Sequence, residues 1–330
     1  MIKRVFGPVP SRRLGQSLGI DPVPLKTCNW NCVYCQLGRT SPFRLERRHN
    51  FPNLGILSQL RDALDAHEPD DIDWVTFVGS GETTLHAGLG EMIRSVKGMT
   101  DLPVAVITNG SLLYLPEVRE ELRAADAVLP SLDAGNPVLY RRINRPHPTL
   151  TFERFIQGLI DFREAYDHQL WVEVMLVHGL NDTTQALEEI ADWLQQIQPD
   201  EVHIVQPNRP PAEDWVRPPD ADGLERAHQI LGEIAKIILP AQGDFDLSYD
   251  QDLIKAITGV ITRHPMKESE LTATLTKWSP GDVRQTLQTL ADSGRAQIVI
   301  RGGVRFWSAS DAYYGQSKHR QADADTSMDK

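Results

Sequence analysis

Trp74-Val-Thr-Phe-Val78 passes directly into Gly79-Ser-Gly-Glu-Thr83. A run of β-branched and aromatic residues without polar alternation reads as a short strand covered on both faces. The glycines after it permit close approach of the backbone to a ligand, and the acid beyond them can hydrogen-bond an ammonium group. Runs of the same character stand at 104–107, 127–129, 172–177 and 202–205, with an earlier one near 18–20. Between them, 54–67, 89–97, 116–124, 152–165, 184–197 and 221–238 carry apolar residues at helical spacing. This alternation over short connections predicts an α/β fold of βα units around a parallel sheet. Six repeats fall short of a full eight-stranded barrel, so residues 1–240 are expected to form a partial (βα)6 barrel of the TIM type, with chemistry at the C-terminal strand ends.

Near Pro240 and Gly243 the pattern breaks. Three helical stretches follow at 253–263, 268–275 and 280–293, the last opened by Ser279-Pro280 and closed by Gly294. Two short strands, 296–300 and 304–307, then flank a tight Gly302-Gly303 turn. Three helices and a two-stranded wing predict a winged helix over 241–308. The polar residues 309–330 have few apolar anchors and are expected to be a disordered tail.

The bulk properties narrow the classes of function. With 330 residues, 41% hydrophobic and 24% charged, the chain suits a large unit plus a smaller one. No apolar run approaches bilayer length, and Met1-Ile-Lys-Arg-Val-Phe-Gly-Pro8 lacks the apolar core of a secretory signal; a soluble, cytoplasmic protein is expected. A net charge of -11 argues against a uniformly basic surface for nucleic acid. Even so, residues 1–50 carry nine Lys or Arg against Asp21 and Glu46, a positive field that suits an anionic cluster or substrate, or else a solvated basic face.

That basic region holds all three cysteines, in Cys28-Asn-Trp-Asn-Cys32-Val-Tyr-Cys35. An odd number packed this tightly is no disulfide framework. Three thiolates at C-x3-C-x2-C spacing in a loop after a strand can reach three corners of one iron–sulfur cubane and leave its fourth iron open. Zinc is the alternative, but a structural zinc site wants four ligands, and His49 lies fourteen residues beyond Cys35. Polar groups also stand at later strand ends, in Thr108-Asn109-Gly110 and Ser131-Leu-Asp133. Alone, these fit a turn and a cap, as Gly81-Glu82 fits an ordinary βα turn. Glu173, in an apolar strand, must face a polar cavity or pair with a base, with Arg145 and Arg209 as candidate partners. Asn208-Arg-Pro-Pro-Ala-Glu213 reads as a substrate-facing or lid loop, or as a rigid proline turn.

At these cysteines the chain resembles the radical SAM superfamily. The resemblance implies a [4Fe-4S] cluster on Cys28, Cys32 and Cys35, with S-adenosylmethionine (SAM) chelating the open iron. It also implies Tyr34 near the adenine, Gly81 and Glu82 at the SAM amino group, and Asn109, Ser131 and Asp133 at its ribose and carboxylate. Gly7-Pro-Val-Pro-Ser-Arg-Arg-Leu-Gly15, Leu25-Lys-Thr-Cys28, Ile143-Asn-Arg-Pro-His147 and Arg209-Pro-Pro-Ala-Glu213 narrow the likeness to the subgroup that includes the tRNA wyosine synthetases. Those enzymes carry a second cluster, for which this chain has no cysteines.

The reaction so implied is reductive cleavage of SAM to a 5'-deoxyadenosyl radical, which abstracts hydrogen from an unidentified substrate, with an electron donor such as flavodoxin or ferredoxin. No catalytic side chain is assigned. A winged helix adds two alternatives: an RNA- or tRNA-modifying enzyme that holds nucleic acid through 280–293, or an iron–sulfur redox-sensing transcriptional regulator. The charge on that helix is mild, with Arg284 and Arg295 beside Asp282 and Asp292.

Overall fold

β1 (Val5–Ser11) and β2 (Gly15–Ile20) form an antiparallel hairpin, and from β2 onward every neighbouring pair in the main sheet is parallel. The computed structural model describes residues 3–11, 13–239 and 252–315. The other parallel strands are β3 (Trp74–Phe77), β4 (Val104–Thr108), β5 (Ala127–Pro130), β6 (Gln169–Met175), β7 (Glu201–Val205) and β8 (Ala235–Ile237). They lie in sequence order, so the α/β sheet has eight strands with β1 and β8 at its edges.

Helices α1 (Asn53–Asp65), α2 (Leu89–Lys97), α3 (Pro116–Leu122), α4 (Pro137–Ile143), α5 (Phe152–Glu164), α6 (Thr184–Ile197) and α7 (Ala221–Leu231) fill the crossovers. Several start on side-chain caps: Thr151 accepts from Arg154 N–H, Thr183 from Ala186 N–H and Asp220 from Gly223 N–H. Each such cap stabilises its helix by about 1 kcal/mol. The apolar faces of the helices close over strands that are themselves fully buried, such as Val104, Val106 and Val128.

Two strands lie beyond the six expected. β1 is interrupted by Gly7, Pro8 and Pro10, and its register with β2 shifts between Phe6 and Val9, which removes the regular pattern of a strand. β8 lies inside the stretch read as a helix to residue 238: α7 stops at Leu231, Gly232 turns the chain at φ +87°, and Ala235–Ile237 pairs with β7.

The β1–β2 turn reaches into the sheet. Leu14, 2% exposed, packs with Ala105, Ala127 and Leu129, whose small or slim side chains make room for it. Arg13 beside it forms an ion pair with Glu173. This corrects both expected partners of Glu173: Arg145 pairs with Glu213, and Arg209 donates to Pro265 O at 2.5 Å.

After the undescribed residues 240–251, where the expected boundary falls, come α8 (Leu253–Arg263), α9 (Glu268–Thr274), α10 (Pro280–Asp292) and the hairpin β9 (Ala296–Arg301)–β10 (Val304–Ala309). They share a core of their own around Ile257, Ile261, Leu271, Val283, Leu287 and Trp307. Of the tail expected to be disordered over 309–330, Ala309 closes β10 and residues 310–315 are held in place instead. Backbone hydrogen bonds fix them: Arg39 N–H donates to Tyr313 O at 2.6 Å and Gly315 N–H to Ala212 O at 2.8 Å. The remainder of that expected tail, 316–330, lies outside the described residues. No helix among the described residues is long and apolar enough to cross a membrane.

His86, fully buried after β3, bears on stability. Asn50 N–H donates to its Nδ1 at 3.4 Å and its Nε2 donates to Asn53 Oδ1 at 2.8 Å, which fixes a neutral tautomer. Burial, with His49 and Arg47 nearby, holds its pKa down to about 4 from 6.5. The neutral form stabilises the fold fully above 6.5, and that contribution is lost as pH falls through 6.5 towards 4. H86N, which cannot be protonated, is expected to show a shallower loss of melting temperature over this interval; parallel curves would contradict the assignment.

Candidate functional site

The loop that leaves β2 carries the three cysteines, and the chain clamps it from both sides. On one side the loop after β3 holds its start. Asp21, fully buried, accepts from Ser80 N–H at 3.1 Å and Ser80 Oγ at 2.7 Å. Lys26 N–H donates to Ser80 O at 2.6 Å and Glu82 N–H to Thr27 O at 2.8 Å. A Cβ on Gly81 would lie 2.1 Å from Thr27 O, and one on Gly79 2.1 Å from Asp21 Oδ1. These glycines therefore let two stretches of this chain approach each other, a role distinct from the ligand approach expected of them.

On the other side, the residues after α4 run along the cysteine loop. Asn31 N–H donates to Asn144 O at 3.1 Å, Val33 N–H to Ile143 O at 2.9 Å and His147 N–H to Asn29 O at 2.9 Å. Trp30 pins this seam, packed edge-on against Tyr140 and Phe155 with both ring centroids 5.4 Å away. Tyr34 and Glu213 extend it: Glu213 N–H donates to Val33 O at 3.0 Å, while Glu213 accepts from Arg39 at 2.9 and 2.7 Å and from Arg145 at 2.5 Å. Burial works against the Glu213 carboxylate, but these two guanidinium groups hold its pKa below the usual value. The 208–213 loop is thus fastened to the cysteine loop at its Glu213 end.

All three thiols are free, half-buried and surrounded by donors. Trp30 N–H lies 3.4 Å from Cys28 Sγ, Asn109 Nδ2 3.8 Å from the same sulfur, Asn144 Nδ2 3.9 Å from Cys32 Sγ and Lys26 Nζ 3.2 Å from Cys35 Sγ. Burial pushes the Cys28 thiol up to about 12 against the pull of Lys26. Burial first, then Cys28, Asp133 and Cys35, drives Cys32 well above its ordinary value. Burial opposes the Lys26 ammonium, yet Cys35, Cys28 and Cys32 together raise its pKa. The three thiols are thus near enough for each to feel its neighbours' charge.

Among the described residues, no three His, Cys, Asp or Glu side chains converge on a single ion. A cubane needs no such convergence, since each cysteine takes a different iron. Three thiols in one loop, with N–H donors directed at them, fit that group, because hydrogen bonds to the sulfurs stabilise cluster thiolates.

Of the remaining expected site residues, Glu82, Asn109 and Asp133 lie near the cysteines. Glu82, 2% exposed, accepts from Thr108 Oγ1 at 2.6 Å through Oε1 and from Asn109 N–H at 2.7 Å through Oε2. Asn109 also donates to Asn29 Oδ1 at 2.8 Å. Ser131 bridges β5 to Glu173 on β6. Asp133, 1% exposed, accepts from Tyr34 OH at 2.5 Å, Asn144 Nδ2 at 2.6 Å and Met175 N–H at 2.8 Å; burial raises its pKa to about 6 despite these donors. Lys26, Asn29 and Asn144 have no role in the sequence reading, although Leu25-Lys-Thr-Cys28 and Ile143-Asn-Arg-Pro-His147 stand out in it.

The Radical SAM superfamily model matches residues 23–194, which include the three cysteines and the site residues named here apart from Asp21 and Glu213. The chain is 34% identical over 280 residues to a UPF0026 protein of Methanocaldococcus jannaschii, covering 82% of this chain and 86% of that one. It is 35% identical over 309 residues to a protein of Brachyspira hyodysenteriae named GTPase Obg, of which it spans only 44%. The Gly-x4-Gly-Lys-Ser/Thr phosphate loop does not occur in the present sequence. A radical SAM methyltransferase from Sphaerobacter thermophilus shares the fold, with a TM-score of 0.54 at 20% identity over 67% of this chain and 65% of the other. The family match across more than half the chain places this protein in the radical SAM superfamily.

Proposed function

We propose that the protein binds a [4Fe-4S] cluster through Cys28, Cys32 and Cys35 and SAM beside it, and acts as a radical SAM enzyme on a substrate yet to be identified. One observation carries this reading: the chain clamps a three-thiol loop on both sides and directs N–H donors at its sulfurs. When bound, the pair supplies one-electron reductive cleavage of SAM and a 5'-deoxyadenosyl radical for hydrogen abstraction, given an electron from a donor such as flavodoxin or ferredoxin. Around it, Tyr34 and Asp133 hold each other beside Cys32, and Asn144 ties Asp133 to that sulfur. Glu82 offers a buried carboxylate to the SAM ammonium, with Gly81 setting its loop against Thr27; Asn109, Ser131 and Asp133 supply polar groups at successive strand ends.

We read α8–α10 with the β9–β10 hairpin as a winged helix that docks on the barrel. Arg301 at the end of β9 donates to Asp214 O at 2.5 Å, so part of the wing is engaged within the chain. For that reason an RNA-modifying role comes second. The likeness to wyosine synthetases leaves their pyruvate condensation aside, since it needs a second cluster and only three cysteines exist.

The test is anaerobic reconstitution with iron and sulfide, then dithionite and SAM. A [4Fe-4S] spectrum that changes on addition of SAM, with release of 5'-deoxyadenosine, is expected. Mononuclear zinc in the purified protein would refute the reading. A cluster that is stable but never cleaves SAM would point to the redox-sensing regulator.

A further inference from the structure

We propose that Lys26 is a positioning residue whose ammonium sets the reduction potential of the cluster held by Cys28, Cys32 and Cys35. The inference rests on the cluster reading above and adds to it a function for a residue outside the cysteine motif.

Lys26 Nζ lies 3.2 Å from Cys35 Sγ and 2.7 Å from Gly38 O, so two acceptors on the far arm of the loop fix the direction of its donors. Its backbone is unusual too. Lys26 sits at φ +59°, a left-handed conformation that glycine or asparagine adopts at lower cost. The position is over-determined: Lys26 N–H donates to Ser80 O at 2.6 Å, and Thr27 N–H closes a turn on Pro24 O at 3.0 Å. Strain of this kind persists where surrounding structure imposes it and clusters at functional sites. A glycine would satisfy the turn, but only a long cationic side chain reaches the sulfur from it.

Three other cations of this basic region are engaged with carboxylates. Arg39 forks onto Glu213, Arg47 pairs with Glu121 and Arg48 with Glu46. Lys26 therefore brings a positive charge to hydrogen-bond distance of a cluster thiolate. Reduction by one electron makes the cluster more negative, so a fixed cation at this range stabilises the reduced form more than the oxidised one. The half-buried setting limits screening by salt.

The experiment compares the reconstituted native chain with K26M, K26Q and K26R. Iron and sulfide per chain are measured first, and the midpoint potential follows from an EPR-monitored titration with dithionite and mediators. K26M is expected to load as the native chain does but to show a reduced-to-oxidised ratio about tenfold lower at the same applied potential, a shift of about 59 mV for one electron. K26R should recover most of that ratio. K26Q, which keeps a donor without the charge, gives the same comparison should K26M fail to take up iron. An unshifted potential in either loaded neutral variant overturns the role of Lys26 and leaves the cluster reading intact. If the native chain itself takes up no cubane, the cluster reading has failed.

Discussion

Replacing Cys32 with Ala is expected to leave a folded chain that holds no [4Fe-4S] cluster. Cys32 packs only partly against the core, and its polar neighbours Asn144 and Tyr34 both keep hydrogen bonds to Asp133 when the sulfur is removed. Losing one partly buried atom of this size costs on the order of 1 kcal/mol, within the range seen for small core truncations. The effect on the metal is of another order. On the proposed reading three protein thiolates would hold three irons, and removing one would leave two open corners where one is wanted for SAM. Iron, sulfide and the broad visible absorbance should fall to background in the reconstituted C32A protein, while the apo forms of variant and parent melt within a few degrees of each other. The same result is expected for C28A and C35A. A C32A protein that keeps the chromophore and still releases 5'-deoxyadenosine would remove the basis of the assignment.

The family was legible at the cysteines because that motif is local, three thiols within eight residues. The interior strands were legible for a related reason, since burial on both faces demands continuous apolar runs such as 104–107. β1 escaped because two prolines and a glycine remove donors and regular pairing from an edge strand. β8 escaped because Ile230-Leu-Gly-Glu-Ile-Ala-Lys-Ile-Ile238 satisfies a helical period until Gly232 is taken as a stop. What surrounds the thiols was hidden for a different reason. Asn144 with Asp133, and Glu213 with Arg39 and Arg145, are brought together by the tertiary fold, and separation along the chain carries no trace of such pairs. Gly79 and Gly81 show how far a local signal extends: glycine announces a close approach without saying what approaches, and here it is the chain's own backbone and Asp21.

Arg263→Ala is expected to lower the stability of the fold by about 3–5 kcal/mol, the usual cost of stripping one partner from a buried ion pair. The Arg263 and Asp21 side chains are 3% and 1% exposed, with Nε 3.1 Å from Oδ2. Arg263 also donates to Gly259 O at 2.9 Å and Lys3 O at 2.6 Å, and its guanidinium lies 4.5 Å from the centre of the Phe6 ring. Truncation therefore leaves the buried Asp21 carboxylate with the Ser80 hydrogen bonds and the nearby charge of Arg4, and frees two backbone carbonyls. Against a typical total of about 5–15 kcal/mol, this is a large share. Lysine should rescue poorly, since an ammonium cannot reproduce a planar fork that serves three acceptors. R263M combined with D21N removes both charges and should recover part of the loss, so the two substitutions will be strongly non-additive in urea unfolding. The consequence reaches the site, because Asp21 holds Ser80 and Ser80 O receives the Lys26 N–H at the root of the cysteine loop. Cluster uptake by R263A should therefore fall even at temperatures where the protein remains folded, which ties α8 to the metal site through a single guanidinium. A variant that unfolds within about 1 kcal/mol of the parent, with undiminished iron content, would show that Asp21 does not depend on this pair.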